Sequence, residues 1–180
     1  MSSVFLYFPG VRLSAAELTA ACLDGHLVGL GEGYVPADTV ETTALRAASL
    51  GSLAGVDLAA VLESAAWIHG ARDEPPARHT LQRATERRLH EPIGRRFVYR
   101  DPRVPAADLV RIGGVAVTTP ERTVADLARK GTPEAVEVLR EWAARAPAAL
   151  PAGVRWIDGS GRVPHKRAAR RLLDELLRRM

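Results

Sequence analysis

Cysteine and lysine are nearly absent from this chain. Cys22 is the one cysteine, so no internal disulfide framework can form. Its place in an apolar helical run reads as a small buried hydrophobe. Lys130 and Lys166 are the only lysines among 180 residues rich in Ala, Arg and Leu, a bias that points to a GC-rich coding sequence more than to a function. No apolar run approaches the length of a membrane span. The stretch from Val4 to Phe8 is apolar but too short for a signal peptide and lacks a basic lead. A cytoplasmic protein without membrane contact is therefore expected.

Chemistry-bearing motifs are missing too. There is no GxGxxG, P-loop, CxxC or HExxH, and no GxSxG nucleophile elbow. Five histidines are scattered, and none forms an i, i+4 ligand pair. Neither lysine stands two residues after an acid, which removes the acid-x-Lys element of many restriction-type nucleases. The expectation is a protein with no enzymatic activity, no metal and no cofactor.

What is present suffices for a core. Hydrophobic residues make up 47% of the chain, and its length suits one compact domain, alone or with a small appendage. Charge is unevenly placed. From 1 to 60, Arg12 and Arg46 face Glu17, Asp24, Glu32, Asp38, Glu41 and Asp57, for a net charge of −4. From 72 to 111, ten arginines face six acids, giving +4; from 162 to 180, seven basic residues face Asp174 and Glu175, giving +5. The chain as a whole carries +4. A positive chain can bind nucleic acid, but here the positive charge lies away from the N-terminal third.

The most structured stretch runs from Gly113 to Ala128. Val115 and Val117 alternate with small residues, as in a short buried strand. Thr119 sits where a helix N-cap belongs, Pro120 at the first helical position, and Glu121 near the positive end of the dipole. Val124, Leu127 and Ala128 then share one helix face. Arg122 is a cation in the first turn, where the dipole disfavours it, so something else must pair with it. Two readings stay open: a bridge to a carboxylate or carbonyl of the same domain, or contact with a ligand or partner.

Taken in order, the segment from Val4 to Phe8 reads as an edge strand that packs on the core or pairs with a partner chain. Ser14 and Glu17 have capping-box spacing and predict a helix from Ala15 to Leu23. Two short strands around Gly31, Glu32 and Gly33 form a hairpin. Helix followed by hairpin is the tail of a winged helix-turn-helix, here partly truncated. A second helix is expected over Asp38 to Leu50, and a third capped by Asp57 and running through Leu58, Trp67 and His69. Trp67 and His69 invite a site reading; a core Trp and a cationic His at the helix C-terminus are the plainer one. Strands are expected at Thr80 to Arg83, Phe97 to Tyr99, Leu109 to Ile112 and Val115 to Thr118, with a basic loop from Thr85 to Gly94. Thr132, Pro133 and Glu134 repeat the cap-Pro-Glu device and start a helix through Trp142. The segment from Ala146 to Gly153 reads as a Pro/Ala linker, Trp156 and Ile157 as a short strand, and Pro164 to Met180 as a basic final helix with Ala168, Leu172, Leu173, Leu176 and Leu177 on one side.

The predicted fold is therefore α+β. A winged-helix-like unit over residues 1–53 joins a larger domain of mixed sheet and helices over 54–180, ending in a basic helix.

Over residues 11–180 this order resembles the AbiEi family, antitoxins of type IV toxin–antitoxin systems, in its actinobacterial form. The resemblance rests on the Gly-Gly-Val-Ala-Val lead into Thr118 to Thr123, with Asp126, Leu127 and Ala128. The helix ending Ala66-Trp67-Ile68-His69-Gly70 supports it. It implies two activities. An N-terminal winged helix binds operator repeats and represses the operon, and a C-terminal domain counteracts a cognate nucleotidyltransferase-like toxin. Relatives place arginines along the hairpin wing, whereas this chain has Gly29, Gly31 and Glu32 there. An acidic wing repels phosphate, so operator DNA is not expected at the wing. The candidate contacts with nucleic acid or with a partner are Arg87, Arg88, Arg95, Arg96, Arg122, Lys166, Arg167, Arg170 and Arg171, against the plainer reading of solvated basic faces. A transcriptional repressor without antitoxin activity is the alternative.

Overall fold

A computed structural model describes residues 5–89 and 97–179. The first helix, α1 (Ala15–Leu23), begins with the expected capping box: Ser14 Oγ accepts from the Glu17 N–H, and the Glu17 carboxylate accepts from the Ser14 N–H at 2.7 Å. Leu18 is its one buried residue, so α1 is anchored by a single side chain. Strands β1 (Leu27–Leu30) and β2 (Gly33–Pro36) form an antiparallel hairpin. Tyr7 adds an antiparallel bridge to Tyr34, with both backbone bonds at 2.9 Å, so the apolar N-terminal stretch pairs with the chain's own hairpin.

Helix α2 (Thr43–Ser49) starts five residues later than the sequence pattern suggests. Thr42 holds an extended backbone and caps the Leu45 N–H at 3.2 Å; the β-branched Thr39 and Val40 stay outside the helix. The short α3 (Gly51–Ala54) ends at Gly55, which has φ +53°.

The expected helix from Asp57 is replaced in its first part by a strand. Leu58–Ala60 form β3, the middle strand of a five-stranded sheet. It pairs antiparallel with β4 (His79–Arg83) and parallel with β7 (Val115–Thr118), and all three of its residues are buried. Strand β5 (Phe97–Arg100) lies parallel to β4, and β6 (Leu109–Ile112) antiparallel to β7, giving the order β5-β4-β3-β7-β6. Leu58, Ala59 and Ala60 carry no β-branched signal; ladder partners on both sides decide the strand.

Helix α4 (Leu62–Ile68) follows directly, and every residue in it is buried. A helix closed on all faces must be packed on all faces. Accordingly Leu62 and Ala66 join one apolar cluster with Val124, Leu139, Ile157 and Leu173 of the helices that follow the sheet, while Ala65, Trp67 and Ile68 join another with the sheet, α2 and the hairpin residues Leu30 and Val35. Its internal acid, Glu63, is paired with Lys130 at 2.6 Å.

Helix α5 (Pro120–Lys130) has the expected Thr119 cap and ends at Gly131 in the left-handed conformation. It packs against α4, α6 (Pro133–Arg145), α7 (Ala149–Gly159) and α8 (Lys166–Arg178). Helix α7 corrects two expectations: the linker shrinks to residues 146–148, and Trp156 and Ile157 lie in the helix rather than in a strand. Pro151 falls in the first turn of α7, where its missing N–H has no intrahelical partner to lose. Gly153 lets the backbone approach α5, since a Cβ there would overlap Val124 Cγ1. The buried stripe of α8 is Ala169, Leu173 and Leu176 rather than one begun by Ala168, which is exposed. Cys22 is half-buried rather than a core residue. Among the described residues no helix is long and apolar enough to cross a membrane.

Candidate functional site

The strand–cap–helix run from β7 into α5 places Arg122 beside the short 3₁₀ turn Ala106–Asp108 and under α7. Its Nη1 donates to Asp108 Oδ2 at 2.5 Å and its Nε to Asp126 Oδ2 at 2.7 Å. The guanidinium lies 4.8 Å from the centre of the Trp156 ring. Trp156 Nε1 donates to Asp108 Oδ1 at 2.7 Å, and Arg129 Nη1 to Asp126 Oδ1 at 2.6 Å. The Asp108 carbonyl also accepts from the Thr119 N–H at 2.9 Å, so the turn, the cap of α5 and α7 are tied at one point. Burial works against the charged guanidinium, but the carboxylates of Asp126 and then Asp108 outweigh it and raise its proton affinity. Every oxygen of the two carboxylates accepts a hydrogen bond, so the network ties the 3₁₀ turn, α5 and α7 to one another. It is built to hold elements together.

The other predicted cations divide sharply. Arg170 donates through Nε to Asp158 at 3.0 Å and through Nη1 to Asp174, and the Asp174 bond leads in raising its pKa. Lys166 Nζ donates to the carbonyls of Ser160 at 2.5 Å and Asp158 at 3.3 Å, closing the C-terminal end of α7. Arg167 and Arg171 are exposed and have no polar partner among the described residues. With Arg162, Lys166 and His165 they line a shallow depression of about 630 Å³ that contains no carboxylate. Arg87 reaches Asp57 at 3.2 Å and is largely exposed, and Arg88 is exposed. Arg95 and Arg96, with His90 and the rest of the expected basic loop from 90 to 94, lie outside the described residues.

The basic face of α8 is therefore Arg162, Lys166, Arg167 and Arg171. Arg162 joins through the turn before the helix, which sequence spacing did not single out. Two cations occupy the first turn of α8 with no acid to offset them, an arrangement the helix dipole disfavours and an anionic partner would relieve.

Two histidines take structural places. His69 caps α4, hydrogen-bonds through Nε2 to the Thr118 carbonyl at 2.7 Å and stacks on Trp142. Burial depresses its pKa against the opposing effects of that carbonyl and of Glu121, so the expected cationic His at the helix end is instead held toward neutrality. His79 Nδ1 lies 3.2 Å from Ser64 Oγ, and burial again lowers its pKa, with Glu32 opposing. Ser64 is fully buried and accepts from the Thr80 N–H at 2.9 Å, so this pair pins β4 to α4. Trp67 is fully buried, and its Nε1 donates to the Asp73 carbonyl at 3.0 Å. Among the described residues no three His, Cys, Asp or Glu side chains gather as a metal site.

An α+β domain whose distinctive surfaces are charged faces has the equipment of a binding or regulatory protein. The AbiEi antitoxin C-terminal domain family matches residues 58–175, and the chain belongs to that family. The match opens on β3 and closes within α8, enclosing the five-stranded sheet and α4 to α8. The crystal structure of the RV2827C protein from Mycobacterium tuberculosis is similar at a TM-score of 0.48 and 18% identity, over 93% of this chain and 66% of that one. The chain thus spans about two thirds of that protein's length. No curated protein matches the chain.

Proposed function

We propose that this chain is the antitoxin of a type IV toxin–antitoxin pair of the actinobacterial form, acting in the cytoplasm against a cognate nucleotidyltransferase-like toxin. In this reading residues 1–53 form a winged-helix-like unit and 54–180 the antitoxin domain. The observation that carries it is the family match across the whole five-stranded sheet and the helices that cover it.

The N-terminal unit favours a protein partner over DNA. No Lys or Arg occurs between Arg12 and Arg46, and Glu17, Asp24, Glu32, Asp38 and Glu41 all fall there. A helix and wing without cations cannot neutralise phosphates, the main source of affinity for DNA. Leu23 is 84% exposed and Val28 46%, giving this acidic surface apolar contacts for a basic protein. The test is co-expression with the neighbouring nucleotidyltransferase-like gene, scoring growth. Restored growth, with a complex recovered from the same cells, supports the reading; unrelieved toxicity refutes it.

A second reading, operator binding and autorepression, is favoured by the carboxylate-free face of Arg162, Lys166, Arg167 and Arg171. Gel-shift titration on the chain's own promoter tests it. A shift that is lost on neutralising Arg167 and Arg171 supports it, and no shift at low salt sinks it.

A further inference from the structure

A second depression, of about 550 Å³, lies between the loop after β5 and the C-terminal half of α5, with Leu62 and His165 at its border. Its volume falls in the range of small-molecule sites. Arg100, Arg103, Arg129 and Lys130 line it beside the Arg122 network, and Asp126 is the one carboxylate in its lining.

Several of these cations keep spare donors. The Arg100 side chain is exposed and makes no hydrogen bond or ion pair among the described residues. Among the described residues Arg103 pairs with Glu86, whose side chain is 84% exposed, a weak competitor for a ligand. Lys130 gives one of its three N–H groups to Glu63, and Arg129 uses Nε on the Pro164 carbonyl and Nη1 on Asp126, leaving Nη2.

The walls are fixed beforehand. Gln82 Nε2 donates to the Pro102 carbonyl at 2.6 Å, Arg83 Nε to the Asp101 carbonyl at 2.9 Å, and the Val104 N–H to the Arg83 carbonyl at 2.9 Å. These bonds hold the loop after β5 against β4.

Backbone strain gathers at the same place. Among the described residues, two other than glycine have positive φ, Leu62 at +53° and His165 at +59°, and both border this depression. A left-handed leucine is costly and persists only where its surroundings force it, which is characteristic of ligand sites. Leu62, Pro102 and Pro164 give the cleft apolar walls between its cations.

We propose that this cleft binds a small molecule bearing a polyphosphate, of the nucleoside triphosphate class. Several cations with spare donors match a chain of phosphates better than a single carboxylate would, and the apolar walls suit a nucleoside. The proposal does not depend on the antitoxin reading, because it concerns a site on the isolated chain.

The test is calorimetric titration of the full chain with ATP, GTP, CTP, UTP and inorganic tripolyphosphate. Saturable binding with one site per chain is expected for at least one nucleotide and, more weakly, for tripolyphosphate. Replacing Arg100→Ser and Arg103→Ser together, both exposed enough to leave folding intact, should weaken binding by about tenfold or more with an unchanged melting temperature. Arg167→Ser with Arg171→Ser, on the neighbouring basic face, should leave the affinity unchanged. Three results overturn the proposal. One is no saturable binding up to about 5 mM nucleotide. Another is equal loss in both double variants. The third is displacement of bound nucleotide by duplex DNA, which would make the cleft part of a nucleic-acid groove.

Discussion

Replacing Arg122 by alanine removes the one cation that Asp108 and Asp126 share. All three side chains are nearly closed to solvent, at 12%, 15% and 13% exposure, so screening by water is small. Taking one member out of a buried ion pair costs about 3–5 kcal/mol, because the other is left charged and under-solvated. Two local features place this case near the lower end. Asp126 keeps Arg129 at 2.6 Å, and Asp108 keeps the Trp156 indole N–H at 2.7 Å. About 3 kcal/mol in a domain of this size corresponds to a fall of about 6–12 °C in melting temperature. Arg122→Lys should fall between, because an ammonium keeps the charge but cannot present the fork that reaches both carboxylates. Calorimetric melts of the parent, Arg122→Lys and Arg122→Ala measure the series. An alanine variant melting within about 2 °C of the parent would refute the reasoning. If that same variant failed to neutralise the toxin, Arg122 would be a contact residue instead.

Stability should also fall as pH is lowered below about 6.5, the ordinary histidine value, because His69 and His79 both have depressed pKa values in the fold. The unfolded chain gains protons there that the folded chain refuses until its own lower pKa values are passed, so the contribution is complete above that window and shrinks within it, by up to about 1.4 kcal/mol per pH unit for each histidine. Urea unfolding between pH 5.5 and 7.5 reads the slope, and an unaltered slope in His69→Gln/His79→Gln would refute the assignment. Within α7 two glycines should respond oppositely. Gly153→Ala drives a methyl into Val124 and should cost about 1–3 kcal/mol, whereas the Cβ in Gly159→Ala meets nothing and should be neutral or stabilising by up to about 1 kcal/mol; equal melting temperatures would show that the α5–α7 approach is looser than described. If operator DNA binds the α8 face, four phosphate contacts predict that log affinity falls with log salt at a slope of about −3.6, and neutralising Arg167 and Arg171 should flatten it by about 1.8. A slope unmoved by that change would place the DNA elsewhere.

Local chemistry written into neighbouring residues was enough for much of the fold. The capping box of Ser14 and Glu17, the glycine hairpin, the strand from Val115, and the Thr-Pro-Glu starts of α5 and α6 each specify their element within a few residues. The α+β class follows from their order. Helix α7 was hidden because Pro151 and Gly153 are loop signals in isolation. Only packing against α5 makes a glycine the residue that fits and places the proline where a helix tolerates it. Strand β3 was hidden because three small or unbranched residues carry no strand signal of their own. Its conformation is set by β4, more than twenty residues later in the chain, and by β7, more than fifty later. The charged residues show the same division. Sequence marks the region around α8 as basic, but Arg170 and Arg171 are the same residue type one position apart. The 100° turn between them sends Arg170 to Asp158 and Asp174 and leaves Arg171 in solvent. Composition therefore determined how much positive charge this protein carries. The tertiary structure alone decided which charges are consumed in holding it together and which remain free to meet a partner, because ion pairing depends on distance in space.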